Sequence, residues 1–127
     1  VSERFCEQLQ MKPEQALAML RTKGCKIGGV TQGERGMTWY GEDGTVRHLS
    51  ALHVPEDRVI DTSGAGDLFH GAYVYSWLKQ PKAPWEGHFR FARAASAFGV
   101  QHLGNEARLP RADDVLATAQ SFGDPLS

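Results

Sequence analysis

The chain has little cysteine and no long apolar run. Its 127 residues include only two cysteines, Cys6 and Cys25, without the Cys-x-x-Cys or Cys/His spacing that binds zinc. Two cysteines without a pattern indicate a reduced, cytoplasmic environment rather than a disulfide framework. No stretch approaches the ~18 to 20 consecutive apolar residues that cross a bilayer. We therefore expect a cytoplasmic protein with no membrane partner.

Excess charge and two common phosphate motifs are absent as well. Fourteen basic and fifteen acidic side chains give a formal net charge of −1, with no basic patch, so nucleic acid is not expected as a partner. The P-loop pattern Gly-x4-Gly-Lys-Ser/Thr does not occur, which excludes a Walker-type NTPase. The dinucleotide fingerprint Gly-x-Gly-x-x-Gly fails because Phe69 stands at its last glycine. The sequence therefore lacks the motif that would best support a hydride-transferring, dinucleotide-dependent enzyme.

What is present is a strand, turn and helix pattern over residues 59–71. Two apolar residues of strand character lead into the turn Gly64-Ala65-Gly66, and a helical stripe of apolar residues follows. The first N–H groups of a helix have no partner within it, so this turn can hold a phosphate or another oxyanion. Asp67 adds a carboxylate in the first turn. Together they predict phosphoryl transfer, with Asp67 accepting the proton of the acceptor hydroxyl.

The segment from Asp61 to Asp67 reads Asp-Thr-Ser-Gly-Ala-Gly-Asp and closely resembles the C-terminal signature of the ribokinase-like carbohydrate kinases, the PfkB family. The resemblance implies that Asp67 is the catalytic base at the bound acceptor, and that Gly64, Ala65 and Gly66 form the anion hole. It implies ATP as the donor, with Mg²⁺ to neutralise the triphosphate. It also implies a monovalent-cation site, for K⁺ in several members, with Asp61 and the Ser63 backbone.

A second segment, Thr31-x-Gly33-x-x-Gly36, resembles the nucleotide-contacting loop of the same family. Glycines in such a loop let the backbone approach phosphate oxygens without an intervening side chain. The structural alternative is a β-hairpin that merely turns on these glycines. The resemblance further implies that the helix carrying Ala94 and Ala97 flanks the adenine. The alternative there is ordinary helix packing by small residues.

The pattern predicts an α/β order, and the resemblance implies the ribokinase-like three-layer α/β/α fold, C-terminal portion only. We expect residues 1–127 to be the ATP-binding, base-bearing part of a sugar-kinase domain, with the N-terminal substrate and lid half absent. Helices are predicted at 2–9, from 13 to 24, 64–80, 89–98 and 111–121. Strands are predicted at 26–31, 37–41, 46–49 and 58–60, with a turn at 42–44 and a loop at 104–110.

The predicted function is ATP-dependent phosphoryl transfer to a hydroxyl of a sugar or sugar derivative, with the isolated chain inactive. Two alternatives stay open: a non-catalytic nucleotide-binding or regulatory module, and a kinase for a nucleoside or vitamin-precursor hydroxyl. The oligomeric state is open as well, with a homodimer as one alternative.

Two details bear on the branch of the family and on the acceptor. Many members carry Asn-x-x-Glu where Ser2 and Phe5 stand, and Asn105-Glu106 lies too far along the chain to replace it. In this the chain resembles the ketohexokinase and sulfofructose-kinase branches. His70, one turn beyond Asp67, can either touch the acceptor site or form local contacts only.

Overall fold

A computed structural model describes residues 1–104 and 109–126 of the chain. The chain divides into two compact units, Val1–Ala51 and Leu52–Ser127, and each has a hydrophobic core. The loop predicted at 104–110 falls largely on residues 105–108, which include Asn105 and Glu106. These four residues lie outside the described residues.

The first unit begins with two short helices. Helix α1 spans Glu3–Gln8, and the Ser2 side-chain oxygen accepts a hydrogen bond from the Phe5 amide at 3.2 Å. Helix α2 spans Pro13–Thr22, with proline at its first position, where the missing N–H breaks no helical bond. Both helices are confirmed, because the cap and the proline act as the sequence indicates.

A three-stranded antiparallel sheet completes the first unit. Strands β1 (Gly28–Thr31), β2 (Met37–Tyr40) and β3 (Val46–Leu49) pair in the order β1-β2-β3. The turn predicted at 42–44 joins β2 to β3, and Gly44 takes a positive φ of 72° there. Ser2 forms an isolated parallel bridge with Thr31, so the start of the chain pairs with β1.

The core of the first unit is a buried cluster packed between the helices and the sheet. Its members are Cys6, Ala16, Leu17, Val30 and Tyr40. Although Tyr40 is only 1% exposed, its hydroxyl donates to the Cys25 carbonyl at 2.8 Å, which satisfies the polar end of the ring. Glycine is required at Gly28, because a Cβ there would lie 2.5 Å from the Tyr40 ring.

The second unit is helical where it is described, and the strand predicted at 58–60 is wrong. Residues Glu56–Arg58 form a 3₁₀ turn after Pro55, and Val59 is extended but pairs with no strand in the described ranges 1–104 and 109–126. The amides of Ile60 and Asp61 instead donate to the Val100 carbonyl, at 2.8 Å and 3.2 Å. Strand propensity alone does not make a strand, because a strand needs a neighbour to pair with.

Three helices form the body of the second unit: α3 (Ala65–Lys79), α4 (Trp85–Val100) and α5 (Ala112–Ser121). All three are confirmed, although α4 begins earlier than the sequence predicts, directly after Pro84. Their shared core contains Ala94, Ala95, Val115 and Ala119, with Leu68 and Ala72 of α3 among the residues packed against it. No helix in the described ranges 1–104 and 109–126 has both the length and the apolar character needed to cross a membrane.

An ion-pair cluster fixes the segment after α5 to α4. Asp124 accepts hydrogen bonds from the guanidinium groups of Arg90, at 3.1 Å through Nε, and Arg93, at 2.6 Å through Nη2. Burial raises the pKa of the Asp124 carboxyl, but these hydrogen bonds outweigh burial, so the pKa lies below its usual value. The negative form of Asp124 is thereby stabilised in the folded protein.

Candidate active site

The candidate site lies at the start of α3, where a tight turn enters the helix. Gly64 adopts the left-handed conformation (φ 74°, ψ 6°), which glycine takes at little cost. Just before it, an Asp61 side-chain oxygen accepts from the Ser63 amide at 2.9 Å and shapes the turn. The Ala65 amide donates to the Thr62 carbonyl at 3.3 Å. Of the three predicted anion-hole amides, that of Ala65 therefore already has an acceptor.

The next two amides are open. Among residues 1–104 and 109–126, the N–H groups of Gly66 and Asp67 have no acceptor, and no side chain caps the helix. A Cβ added at Gly66 would meet no atom within 4 Å, so the space beside this turn is free. Open amides, the positive end of a helix and free space fit a phosphate group.

The Asp67 carboxylate projects from this same turn. It is exposed and makes no hydrogen bond or ion pair within the described part of the chain. It also lies at a cleft of about 710 Å³ in the second unit. The cleft is lined mainly by apolar residues, among them Leu68, Ala72, Tyr75, Phe91, Ala95 and Pro110, and by Arg111. A carboxylate beside open amides can accept a proton from a hydroxyl group that attacks a bound phosphoryl group.

The residues described contain no group of three or more His, Cys, Asp or Glu side chains that could hold a metal ion. This composition fits Mg²⁺ only as a partner of a bound triphosphate, because Mg²⁺ is commonly held by phosphates, waters and one or two carboxylates. For a monovalent ion, the turn offers the partly buried Asp61 beside the exposed Ser63. Asp61 and Ser63 as a cation site remain a prediction.

The predicted nucleotide loop lies in the first unit. Thr31 ends β1, and its hydroxyl donates to the Val1 carbonyl at 3.4 Å. Gly33 has φ 57° with open space where a Cβ would be, whereas a Cβ at Gly36 (φ 91°) would lie 2.0 Å from the Leu49 carbonyl oxygen. The hairpin alternative thus accounts for Gly36, while Gly33 leaves its backbone accessible.

The two alanines predicted beside the adenine are inside the second unit. Ala94 is 0% exposed and Ala97 is 4% exposed, and Ala94 belongs to the core. Their neighbour Ala95, which the sequence did not single out, lines the cleft beside Asp67. The 3.6-residue period of α4 predicts which of its residues share a face. Which face is buried and which lines the cleft depends on the neighbouring helices.

A histidine and a tyrosine lie one and two turns beyond Asp67 on α3. The Tyr73 hydroxyl is 3.3 Å from Nδ1 of His70, and the two rings meet edge to face at 4.9 Å. Tyr73 in turn packs against Phe69, Trp85 and Phe89, with ring centroids 5.7 to 6.3 Å apart. The i, i+3 spacing of His70 and Tyr73 on the helix is a sequence signal for this contact, whereas nothing in the sequence indicates which rings pack around Tyr73.

Comparison with solved structures defines the class of fold. The ribokinase of Thermotoga maritima superposes with a TM-score of 0.81 at 25% identity, covering 94% of this chain and 40% of that one. The ribokinase of Arabidopsis thaliana, solved with ribose and ATP, gives a TM-score of 0.70 at 30% identity, covering 83% and 32%. The fold is therefore ribokinase-like, as the sequence predicts.

Sequence comparison gives the family. Residues 2–112 match the pfkB family of carbohydrate kinases. The bifunctional protein HldE of Bradyrhizobium diazoefficiens is 37% identical over 68% of this chain and 16% of its own length. A deoxyribokinase of Salmonella typhi is 35% identical over 75% of this chain and 29% of its own. The chain belongs to the pfkB family and spans less than a third of these relatives. Its place near the ketohexokinase and sulfofructose-kinase branches stays a prediction.

Proposed function

We propose that the protein containing this chain transfers the γ-phosphoryl group of ATP to a hydroxyl of a sugar or sugar derivative. The observation that carries the proposal is the first turn of α3. There the open amides of Gly66 and Asp67 and the unpaired Asp67 carboxylate stand within one turn. Membership of a carbohydrate kinase family supports it.

In this proposal each group of the turn has one task. The amides of Gly64, Gly66 and Asp67 donate to the oxygens of the transferring phosphoryl group, where negative charge is spread. The Asp67 carboxylate orients the acceptor hydroxyl and takes its proton as the new O–P bond forms and ADP departs. When bound, ATP with Mg²⁺ supplies the phosphoryl group and part of the charge neutralisation. The amide of Ala65 contributes only if it leaves the Thr62 carbonyl.

The remaining predicted residues complete the proposal. Thr31 and Gly33 serve the triphosphate, because an accessible glycine backbone can donate to phosphate oxygens. Gly36 shapes that loop, and the helix of Ala94 and Ala97 forms one wall near the adenine. For a K⁺ ion, Asp61 and Ser63 are the proposed ligands. A cytoplasmic location and a homodimer stay predictions.

The acceptor is proposed by class only. One relative bears the name deoxyribokinase, and one structural neighbour was solved with ribose and ATP, which favours a pentose or a related sugar. A non-catalytic nucleotide-binding module is the alternative. The unpaired carboxylate of Asp67 argues against that alternative, because a module that only binds nucleotide gains nothing from a negative group beside the phosphate site.

The test replaces Asp67 in the intact gene product that contains this chain. Asp67→Asn keeps the size of the side chain and the helix start but cannot accept the proton. We expect turnover of ATP with the best acceptor among D-ribose, 2-deoxy-D-ribose, D-fructose and cytidine to fall about 10³-fold. ATP affinity, measured by calorimetry, should change less than about threefold. Asp113→Asn is the matched control, since Asp113 is an exposed aspartate in the first turn of α5.

Wild-type turnover in the Asp67→Asn protein would refute the assignment of the base. ATP binding without turnover of any acceptor in the wild-type protein would instead support the binding module.

A further inference from the structure

We infer that His70 is a specificity-determining residue whose Nε2 hydrogen bonds to an oxygen of the acceptor, and that Tyr73 positions its imidazole. This inference rests on the proposed function, because it places the acceptor hydroxyl at Asp67.

Position on the helix brings His70 to the site. His70 follows Asp67 by three residues, so the two side chains are neighbours on the helix surface, about 5 to 6 Å apart at Cβ, and Gly66 lies one turn before His70. Helical side chains lean toward the N-terminus and cover the preceding turn. The imidazole of His70 is exposed. It therefore stands beside the turn that carries the open amides and the carboxylate.

Tyr73 fixes the orientation of that imidazole. Its hydroxyl lies 3.3 Å from Nδ1 of His70, while its ring is held between Phe69, Trp85 and Phe89. When the phenol donates to Nδ1, the proton of the neutral imidazole is on Nε2. Nε2 is the ring atom that Tyr73 leaves free. In that tautomer His70 offers an N–H donor on a ring that one neighbour already holds, and a pre-positioned donor favours ligands that match it.

In this inference the donor serves the acceptor rather than the nucleotide. The first N–H groups of a helix point along its axis, so a phosphoryl group held by them would lie beyond the N-terminus of α3. His70 lies at the side of the helix, next to the carboxylate that holds the acceptor hydroxyl. A single N–H there matches a hydroxyl or ring oxygen adjacent to the reacting hydroxyl. An acceptor that lacks this oxygen would leave the site's donor unpaired.

Four variants of the intact protein test this inference. His70→Leu should raise the KM for the acceptor about tenfold, the loss of one hydrogen bond, while kcat and the KM for ATP change less than about twofold. His70→Gln keeps an amide N–H donor and should restore most of the lost affinity. Tyr73→Phe keeps the ring contacts but removes the hydroxyl, and should raise the acceptor KM about threefold. His53→Gln, at an exposed histidine of the same unit, is the matched control.

The outcomes distinguish a failure of this inference from a failure of the proposed function. An unchanged acceptor KM in His70→Leu, with turnover lost in Asp67→Asn, overturns the role of His70 and leaves the proposed function intact. A raised KM that Gln does not restore shows a packing role only, and also overturns it. If the wild-type protein turns over none of the four acceptors, the proposed function itself fails. A rise in the KM for ATP alone assigns His70 to the nucleotide and contradicts the inference.

Discussion

Replacing Gly66 by alanine should make the protein more stable and less active. Gly66 lies in the first turn of α3 with ordinary helical backbone geometry, and a Cβ there would meet no atom within 4 Å. Nothing in the described fold therefore requires glycine at this position. If a phosphate approaches the Gly66 amide, however, the added methyl group would occupy part of the space that the ligand needs.

The two effects have opposite signs and different sizes. Alanine in place of an unstrained helical glycine stabilises a protein by about 0.4 to 1 kcal/mol, chiefly by restricting the unfolded chain. Displacing a reacting group by about 1 Å costs on the order of 10² in rate. That loss corresponds to about 2.7 kcal/mol in the activation free energy. Gly66→Ala should therefore be slightly more stable than the wild-type protein and much slower in turnover.

Urea unfolding and steady-state ATP turnover of the intact protein measure the two effects. Gly87→Ala is the matched control, because Gly87 is also in the first turn of a helix with nothing within 4 Å of its Cβ position. Both variants should gain stability, and only Gly66→Ala should lose turnover. Wild-type turnover in Gly66→Ala would refute a phosphate at this turn. A loss of stability in Gly66→Ala would show that the turn is more constrained than its open space indicates.

Two further predictions concern stability. Asp124→Asn should destabilise the folded protein by about 1 to 3 kcal/mol, because Arg90 and Arg93 lose a partly buried partner. Since the pKa of Asp124 is lowered in the folded state, this contribution is present above about pH 5 and is lost as the pH falls through the folded-state pKa. Urea titrations of both proteins at pH 7 and pH 3 check this, and an equal difference at both values contradicts it. Gly36→Ala should destabilise the first unit by more than about 2 kcal/mol, through a backbone clash and a disfavoured φ, whereas Gly33→Ala should cost about 1 kcal/mol. Local hydrogen exchange in β1 to β3 distinguishes them, and equal protection in the two variants would contradict the clash.

The sequence predicts the helices of this chain well because their ends carry local signals. Ser2 caps α1, Pro13 opens α2, and Gly64 provides the left-handed residue that leads into α3. Each signal acts within a few residues and needs no distant partner. The strand predicted at 58–60 fails for the opposite reason, because a strand depends on pairing that no local pattern contains.

The sequence predicts the turn and the carboxylate of the candidate site, but not the packing of the side chains around them. The motif ending at Asp67 identifies the turn because backbone amides and a carboxylate are fixed by their order along one helix. His70 and Tyr73 lie three residues apart on α3, so the helix itself places them side by side, whereas the packing of the Tyr73 ring depends on Trp85 and Phe89 of α4. Packing between helices is set by tertiary structure, so one helix's sequence cannot give it.

Glycines show how a fold requirement and a ligand requirement can be separated. Gly28 and Gly36 are required by the fold, since a side chain would collide with Tyr40 or with the backbone of β3. At Gly66 a methyl group meets only open space, so the described fold does not require glycine there. A phosphate at this turn, as proposed, would need unobstructed access to the amide donors, and a methyl group at position 66 would restrict that access. Gly33 also faces open space, but its φ of 57° already favours glycine, so the geometry of the loop alone accounts for glycine at that position.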